Sequence, residues 1–97
     1  GRTGVDSALL SHPAAADAAA VAAPDPERGA VVRAIVVLRD GEPGDDAASK
    51  QLARELQEHC KRETAPYKFP RIVEFAAELP KTSSGKIKRA QLRASSA

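Results

Sequence analysis

The sequence predicts an α+β domain, a small sheet of about three strands with helices packed on it. Three observations lead there. A β-branched run at 31–38 reads Val-Val-Arg-Ala-Ile-Val-Val-Leu. An apolar stripe recurs at every fourth residue through Ala48, Leu52, Leu56 and Cys60. A length of 97 residues allows one domain and no more.

The elements follow in order. Val5, Ala8 and Leu9 recur at steps of three and four, which predicts a short amphipathic helix over 6–10 that Pro13 stops. The segment 14–23 is alanine-rich and ambiguous. Alanine prefers helix, but the run ends in Val21-Ala22-Ala23 before Pro24-Asp25-Pro26, so a short strand is expected over 18–23 with a turn after it. The run at 31–38 is a strand, and its near-continuous apolar character implies burial on both faces. Gly41, Pro43 and Gly44 make a loop, after which Asp45 or Asp46 can accept from unpaired first-turn N–H groups. The stripe from Ala48 to Cys60 gives a helix over 47–63, ending before Pro66. Ile72, Val73 and Phe75 give a strand over 71–75. A Ser/Gly loop over 80–85 and a short helix over 88–93 follow, with fraying expected over 94–97.

Composition narrows the function. Alanine supplies 20 residues, whereas Val, Ile, Leu and Phe together supply only 19, so the core is small. One Cys excludes an intrachain disulfide framework, and one Cys with two His excludes a Cys/His structural zinc site. No apolar stretch approaches the roughly 20 residues of a membrane span, and no signal-peptide pattern is present. The expected compartment is reducing and cytoplasmic. The chain starts at Gly1 without Met, and the expectation is a piece of a longer protein.

Charge is unevenly placed. Residues 1–60 carry 6 basic and 10 acidic side chains, whereas 61–97 carry 9 basic and 3 acidic. A basic C-terminal part suits an anionic ligand, and charge alone fits a solvated tail equally well. His12, His59 and Cys60 are expected to be structural: the histidines are far apart in sequence, and Cys60 lies on the apolar stripe. No paired carboxylates or Ser/His/Asp arrangement stand out.

The segment Pro80-Lys81-Thr82-Ser83-Ser84-Gly85-Lys86-Ile87 superficially matches a P-loop, but Pro80 stands where the first Gly belongs and Ile87 where the magnesium-binding hydroxyl belongs. What remains is a lysine on a flexible basic loop that can reach a phosphate or carboxylate.

The same stretch resembles the last core motif of the adenylate-forming (AMP-binding) superfamily, which includes acyl-CoA synthetases, adenylation domains and luciferases. That motif is Pro-Lys-Thr, two variable residues, Gly-Lys. Other segments resemble the family in the same order: 1–13, ending His12-Pro13; Pro24-Asp25-Pro26-Glu27-Arg28-Gly29; and Ala65-Pro66-Tyr67-Lys68-Phe69-Pro70-Arg71. The resemblance spans residues 1–93 and is nearest to medium-chain fatty-acid and aryl-acid CoA ligases. Gly4 and Arg2 depart from the family's usual Glu and Pro. A Gly in the first turn weakens that helix by up to about 1 kcal/mol.

The resemblance implies the single C-terminal lid domain of an acyl-CoA synthetase, covering 1–97. Such enzymes activate a carboxylic acid with ATP to an acyl-adenylate, then transfer the acyl group to coenzyme A. It implies Lys86 as the catalytic lysine of adenylation, with Gly85 shaping its loop. It implies that Arg28, Lys61, Phe69, Pro70 and Arg71 face CoA, although Arg28 and Lys61 read alone as surface charge and Phe69 equally as core. The acyl pocket and Mg2+ are expected in an N-terminal AMP-binding domain of the same protein. The isolated chain is therefore expected to hold no cofactor and to show no turnover. Two alternatives remain: an adenylation domain loading a carrier protein, and a non-enzymatic basic binding module. One Tyr and two Phe offer little platform for stacking single-stranded nucleic acid, and no nucleic-acid partner is expected.

Overall fold

A computed structural model describes residues 4–41, 43–64 and 69–94. The order is α1 (Gly4–Leu10), β1 (Ala15–Asp25), β2 (Gly29–Leu38), α2 (Asp46–Glu63), β3 (Ile72–Phe75) and α3 (Arg89–Ala94). The strands form one sheet in the order β1-β2-β3. β1 and β2 are antiparallel, and β3 runs parallel to β2 after the α2 crossover. The expected α+β class and three-stranded sheet are observed.

β1 is nearly twice the expected length. Its alanines are helix formers, but every residue from Ala18 to Ala23 pairs with one of β2, and Ala18, Ala19, Ala22 and Ala23 lie opposite the β-branched Val36, Ile35, Val32 and Val31. Tertiary pairing overrides local preference. Small side chains let elements approach both faces of this strand. Ala18, Ala34 and Val36 pack beneath α1 and α2 with Val5, Leu9, Leu56 and Cys60. Ala19, Val21 and Ile35 point the other way, onto Leu79 and Leu92. The two-residue period of the strands thus divides the core into two apolar layers, and the burial of 33–36 on both faces agrees with the sequence reading.

The hairpin between β1 and β2 is set by Asp25, whose Oδ1 accepts from Glu27 N at 2.8 Å and Arg28 N at 3.1 Å. Gly29 rejoins the strand at φ +79°, a left-handed angle that glycine adopts without a Cβ penalty. α2 begins with Asp45 as N-cap, its Oδ1 accepting from Ala48 N at 2.7 Å. It ends at Thr64, whose N–H and Oγ1 both donate to Cys60 O.

Several boundaries shift. α1 starts at Gly4, two residues before the expected helix. Ala48 is exposed because the stripe meets the sheet only from Leu52 onward, with Leu56 and Cys60 fully buried. Ile72 is 37% exposed, since β3 is an edge strand. Ala94 is helical where fraying was expected. Pro66, the rest of 65–68, the first three residues and 95–97 lie outside the described residues.

Candidate active site on two faces of the sheet

Lys86 sits on a turn closed by backbone hydrogen bonds, within the segment that the sequence suggested as a flexible loop. Gly85 N donates to Thr82 O at 2.9 Å, Thr82 N to Lys86 O at 2.8 Å, and Lys88 N to Pro80 O at 2.8 Å. Thr82 Oγ1 accepts from Lys86 N at 3.1 Å, and Lys81 and Ile87 form an antiparallel bridge. Gly85 has φ +87°. The segment is therefore a small hairpin whose three-residue loop ends in a left-handed residue, a geometry that selects glycine. Ser and Gly suggested mobility, but the backbone groups of Thr82, Gly85 and Lys86 close the turn, and Ser84 Oγ lies 3.0 Å from Thr82 Oγ1.

The turn is anchored at both ends. Lys81 Nζ lies 2.6 Å from Asp17 Oδ2 on β1. Arg89, the first residue of α3, pairs with Asp6 of α1 and donates from Nη1 to Ala20 O at 2.7 Å. Asp6 is fully buried and accepts from Ala20 N at 2.8 Å. Ile87, next to Lys86, packs with Leu79 and Leu92 on the α3 face of the sheet. Lys86 itself is exposed, and its ammonium meets no carboxylate among the described residues. A fixed backbone carrying an unpaired ammonium suits electrostatic stabilisation of an anion.

The other sequence-predicted residues gather elsewhere. A surface groove of about 580 Å³ is floored by Ala20, Ala22 and Val32 and edged by Arg28, Phe69 and Arg71. Lys61 Nζ lies 4.4 Å from the centre of the Phe69 ring, and Arg71 Cζ lies 5.0 Å from it. Both distances are within cation–π reach. Phe69 thus serves two roles, packing against the α1/α2 layer and holding two cations. Pro70 is fully buried. Its carbonyl accepts from Gln57 Nε2 at 3.0 Å, fixing the Phe69–Arg71 stretch to α2. Arg28 is half-exposed, with loose pairing to Asp25 at 3.9 Å. The groove can take an anion with an apolar portion, because cations line an Ala/Val floor. Lys86 and Gly85 are not among its lining residues.

Three side chains that the sequence left apart come together. The rings of His12 and His59 are T-shaped with centroids 5.2 Å apart. Ser11 Oγ donates to Ala8 O at 2.7 Å and lies 2.6 Å from His59 Nε2. A serine hydroxyl has one proton, so when Ser11 gives it to Ala8 O the imidazole must donate from Nε2 to Ser11 Oγ. That is the reverse of what an activated serine requires. His12 Nδ1 accepts from Ala14 N at 3.1 Å. Burial, then the neighbouring His59, lowers the pKa of His12 below 6.5. Cys60 is buried as expected, and desolvation pushes its thiol up to about 11.

The description "AMP-binding enzyme C-terminal domain" fits a family profile that matches residues 4–86. This chain belongs to that family. It is 55% identical over 89 residues to acyl-coenzyme A synthetase ACSM3, mitochondrial, of Mus musculus, an alignment covering 92% of this chain and 15% of the mouse protein. The crystal structure of Brucella canis acyl-CoA synthetase superposes with a TM-score of 0.84 at 47% identity, covering 94% of this chain and 16% of that one. The anthranilate CoA ligase AuaEII, in complex with anthranoyl-AMP, superposes at 0.79 with 39% identity, covering 93% and 17%. The chain therefore spans about 15% of the length of the curated relatives it matches. Among the described residues no helix is long and apolar enough to cross a membrane.

Sequence reasoning missed the Asp6–Arg89 pair. A signal was present: Asp6 sits inside the apolar cluster Val5, Ala8, Leu9, and an acid there needs a partner. Nothing in the sequence marked that partner as Arg89.

Proposed function

We propose that this chain is the mobile C-terminal domain of an acyl-CoA synthetase. In that reading a carboxylate oxygen attacks the α-phosphorus of ATP, the bond to pyrophosphate breaks, and an acyl-adenylate forms. The thiol sulfur of coenzyme A then attacks the acyl carbon, and AMP leaves. Lys86 serves the first step. Two anions must approach each other, and an ammonium between them offsets their repulsion and stabilises charge in the transition state. Arg28, Lys61, Phe69 and Arg71 serve the second, by holding the phosphates of CoA; guanidinium groups suit phosphate geometry.

One observation supports the reading most. The turn carrying Lys86 joins the α3 face through Ile87, whereas Phe69 and its cations join the α1/α2 layer. A domain with different chemistry on its two sides can supply each half-reaction by rotating against a partner domain. The partner is an N-terminal AMP-binding domain of the same protein, holding the acyl pocket and magnesium. Among the described residues no group of three His, Cys, Asp or Glu side chains can hold a metal ion. The proposed compartment is reducing. Cytoplasm is the sequence-based expectation, and the mouse relative carries a mitochondrial name.

The test is turnover by the full-length protein that carries this domain, with medium-chain and aromatic carboxylic acids. Release of AMP and pyrophosphate with CoA-dependent acyl-CoA formation is expected. Adenylation followed by transfer only to a carrier protein would replace the CoA reading.

A further inference from the structure

The Asp6–Arg89 pair lies where a fourth strand would otherwise sit. Ala20 N–H and C=O point outward from the free edge of β1. Asp6 Oδ1 accepts from the N–H and Arg89 Nη1 donates to the C=O, while Arg89 Nη2 pairs with Asp6 Oδ2. Three residues from three elements close one ring of hydrogen bonds. It satisfies an edge that would otherwise be open, and it fixes the first residue of α3 in space.

That residue is three positions after Lys86. α3 has only six residues, too few to hold a helix in place by itself. Thr82 to Lys86 are all exposed, so the turn takes its position from what flanks it: the non-directional packing of Ile87 on Leu79 and Leu92, and two polar roots. One root is the partly exposed Lys81–Asp17 pair. The other is Arg89, three-quarters buried and joined to a fully buried carboxylate. Exposed pairs hold geometry weakly, whereas a buried guanidinium fork fixes both distance and orientation.

We propose that Arg89 and Asp6 are positioning residues for Lys86, fixing the turn so that the ammonium meets the reacting phosphate. The proposal rests on the reading that Lys86 serves adenylation. Neither residue touches substrate. A displacement near 1 Å at a catalytic group can cost about 100-fold in rate.

The experiment uses the full-length protein and measures two half-reactions separately: adenylation from acid and ATP, and thioester formation from supplied acyl-adenylate and CoA. Arg89→Lys keeps the charge but not the fork, and so cannot hold Asp6 and Ala20 O together in the same geometry. Asp6→Asn keeps an acceptor for Ala20 N–H and removes the charge partner, so it retains the fold if Arg89→Lys does not. Each variant is expected to lose about 10- to 100-fold in adenylation rate, with the thioester step within twofold of the parent. The double variant is expected to be no worse than the more impaired single one, since both act through one link. Equal losses in both half-reactions would mean a structural role only. Adenylation within twofold in a folded variant would also overturn the proposal, as would additive losses in the double variant. Lys86→Ala in the same assay separates the two ideas. If it abolishes adenylation while Arg89→Lys and Asp6→Asn stay within twofold of the parent, positioning fails alone. If it leaves adenylation intact, the reading of Lys86 fails, and positioning through it fails too.

Discussion

Lys81 and Asp17 form an ion pair of 2.6 Å that ties the start of the Lys86 turn to β1. The pair separates the two lysines of the Pro-Lys-Thr-x-x-Gly-Lys segment. Lys81 is held by a carboxylate, whereas Lys86, five residues on, presents its ammonium to solvent. One lysine fixes the turn, and the other is left to meet an anion. Each backbone hydrogen bond across the hairpin supports that division.

Gly85→Ala tests the turn. A Cβ at Gly85 meets nothing within 4 Å, so any effect comes from φ +87° rather than from a clash. The expected cost is about 1–2 kcal/mol, read by equilibrium denaturation. A loss below a few tenths would mean that the left-handed angle is not required.

Charge reversal at Arg28 or Lys61 tests the groove. Each substitution is expected to raise the KM for CoA about fivefold or more, which is about 1 kcal/mol of lost phosphate interaction. The adenylation rate stays near that of the parent. An unchanged KM for CoA would favour an adenylation domain that loads a carrier protein.

How much of this was legible in the sequence differs by element. β2 and α2 were legible because a β-branched run and a four-residue stripe are local signals. β1 was legible only in its centre, since its alanines take their conformation from pairing with β2. The stripe misled at Ala48, where periodicity continues beyond the sheet it would pack on. Lys86 was singled out by a motif, but the closure of its turn depends on backbone hydrogen bonds that no side chain advertises. Asp6 and Arg89 lie 83 positions apart and Ser11 and His59 lie 48 apart, and nothing in the local pattern joins either pair.

The His12–His59 contact has a pH signature. With its folded pKa below 6.5, His12 binds fewer protons in the folded than in the unfolded state as pH falls through that value. Its contribution to stability is constant above pH 6.5 and is lost as pH falls below it. Burial is the larger cause, and the charge of His59 the next; on α2, Glu55 opposes the shift and Arg62 adds to it. An NMR titration is expected to place the His12 midpoint below 6.5, and His59→Ala to move it upward. A midpoint at or above 6.5 in the parent contradicts this account.

Cys60 reports on the core. Its thiol, raised from 9.0 to about 11, stays protonated in the folded chain at neutral pH. The expected result is slow labelling by thiol reagents in native buffer and fast labelling after denaturation. The raised pKa also predicts a stability contribution that is present below pH 9 and falls away from pH 9 towards pH 11, because the unfolded thiol ionises first. Rapid labelling of the native protein would show that the α1/α2 layer opens readily.

The most direct measurement is the separate rate of each half-reaction in the full-length protein bearing Lys86→Ala. The account predicts a loss of about 100-fold or more in acyl-adenylate formation, with thioester formation from supplied acyl-adenylate largely kept. Equal losses in the two steps, or none in the first, would contradict it.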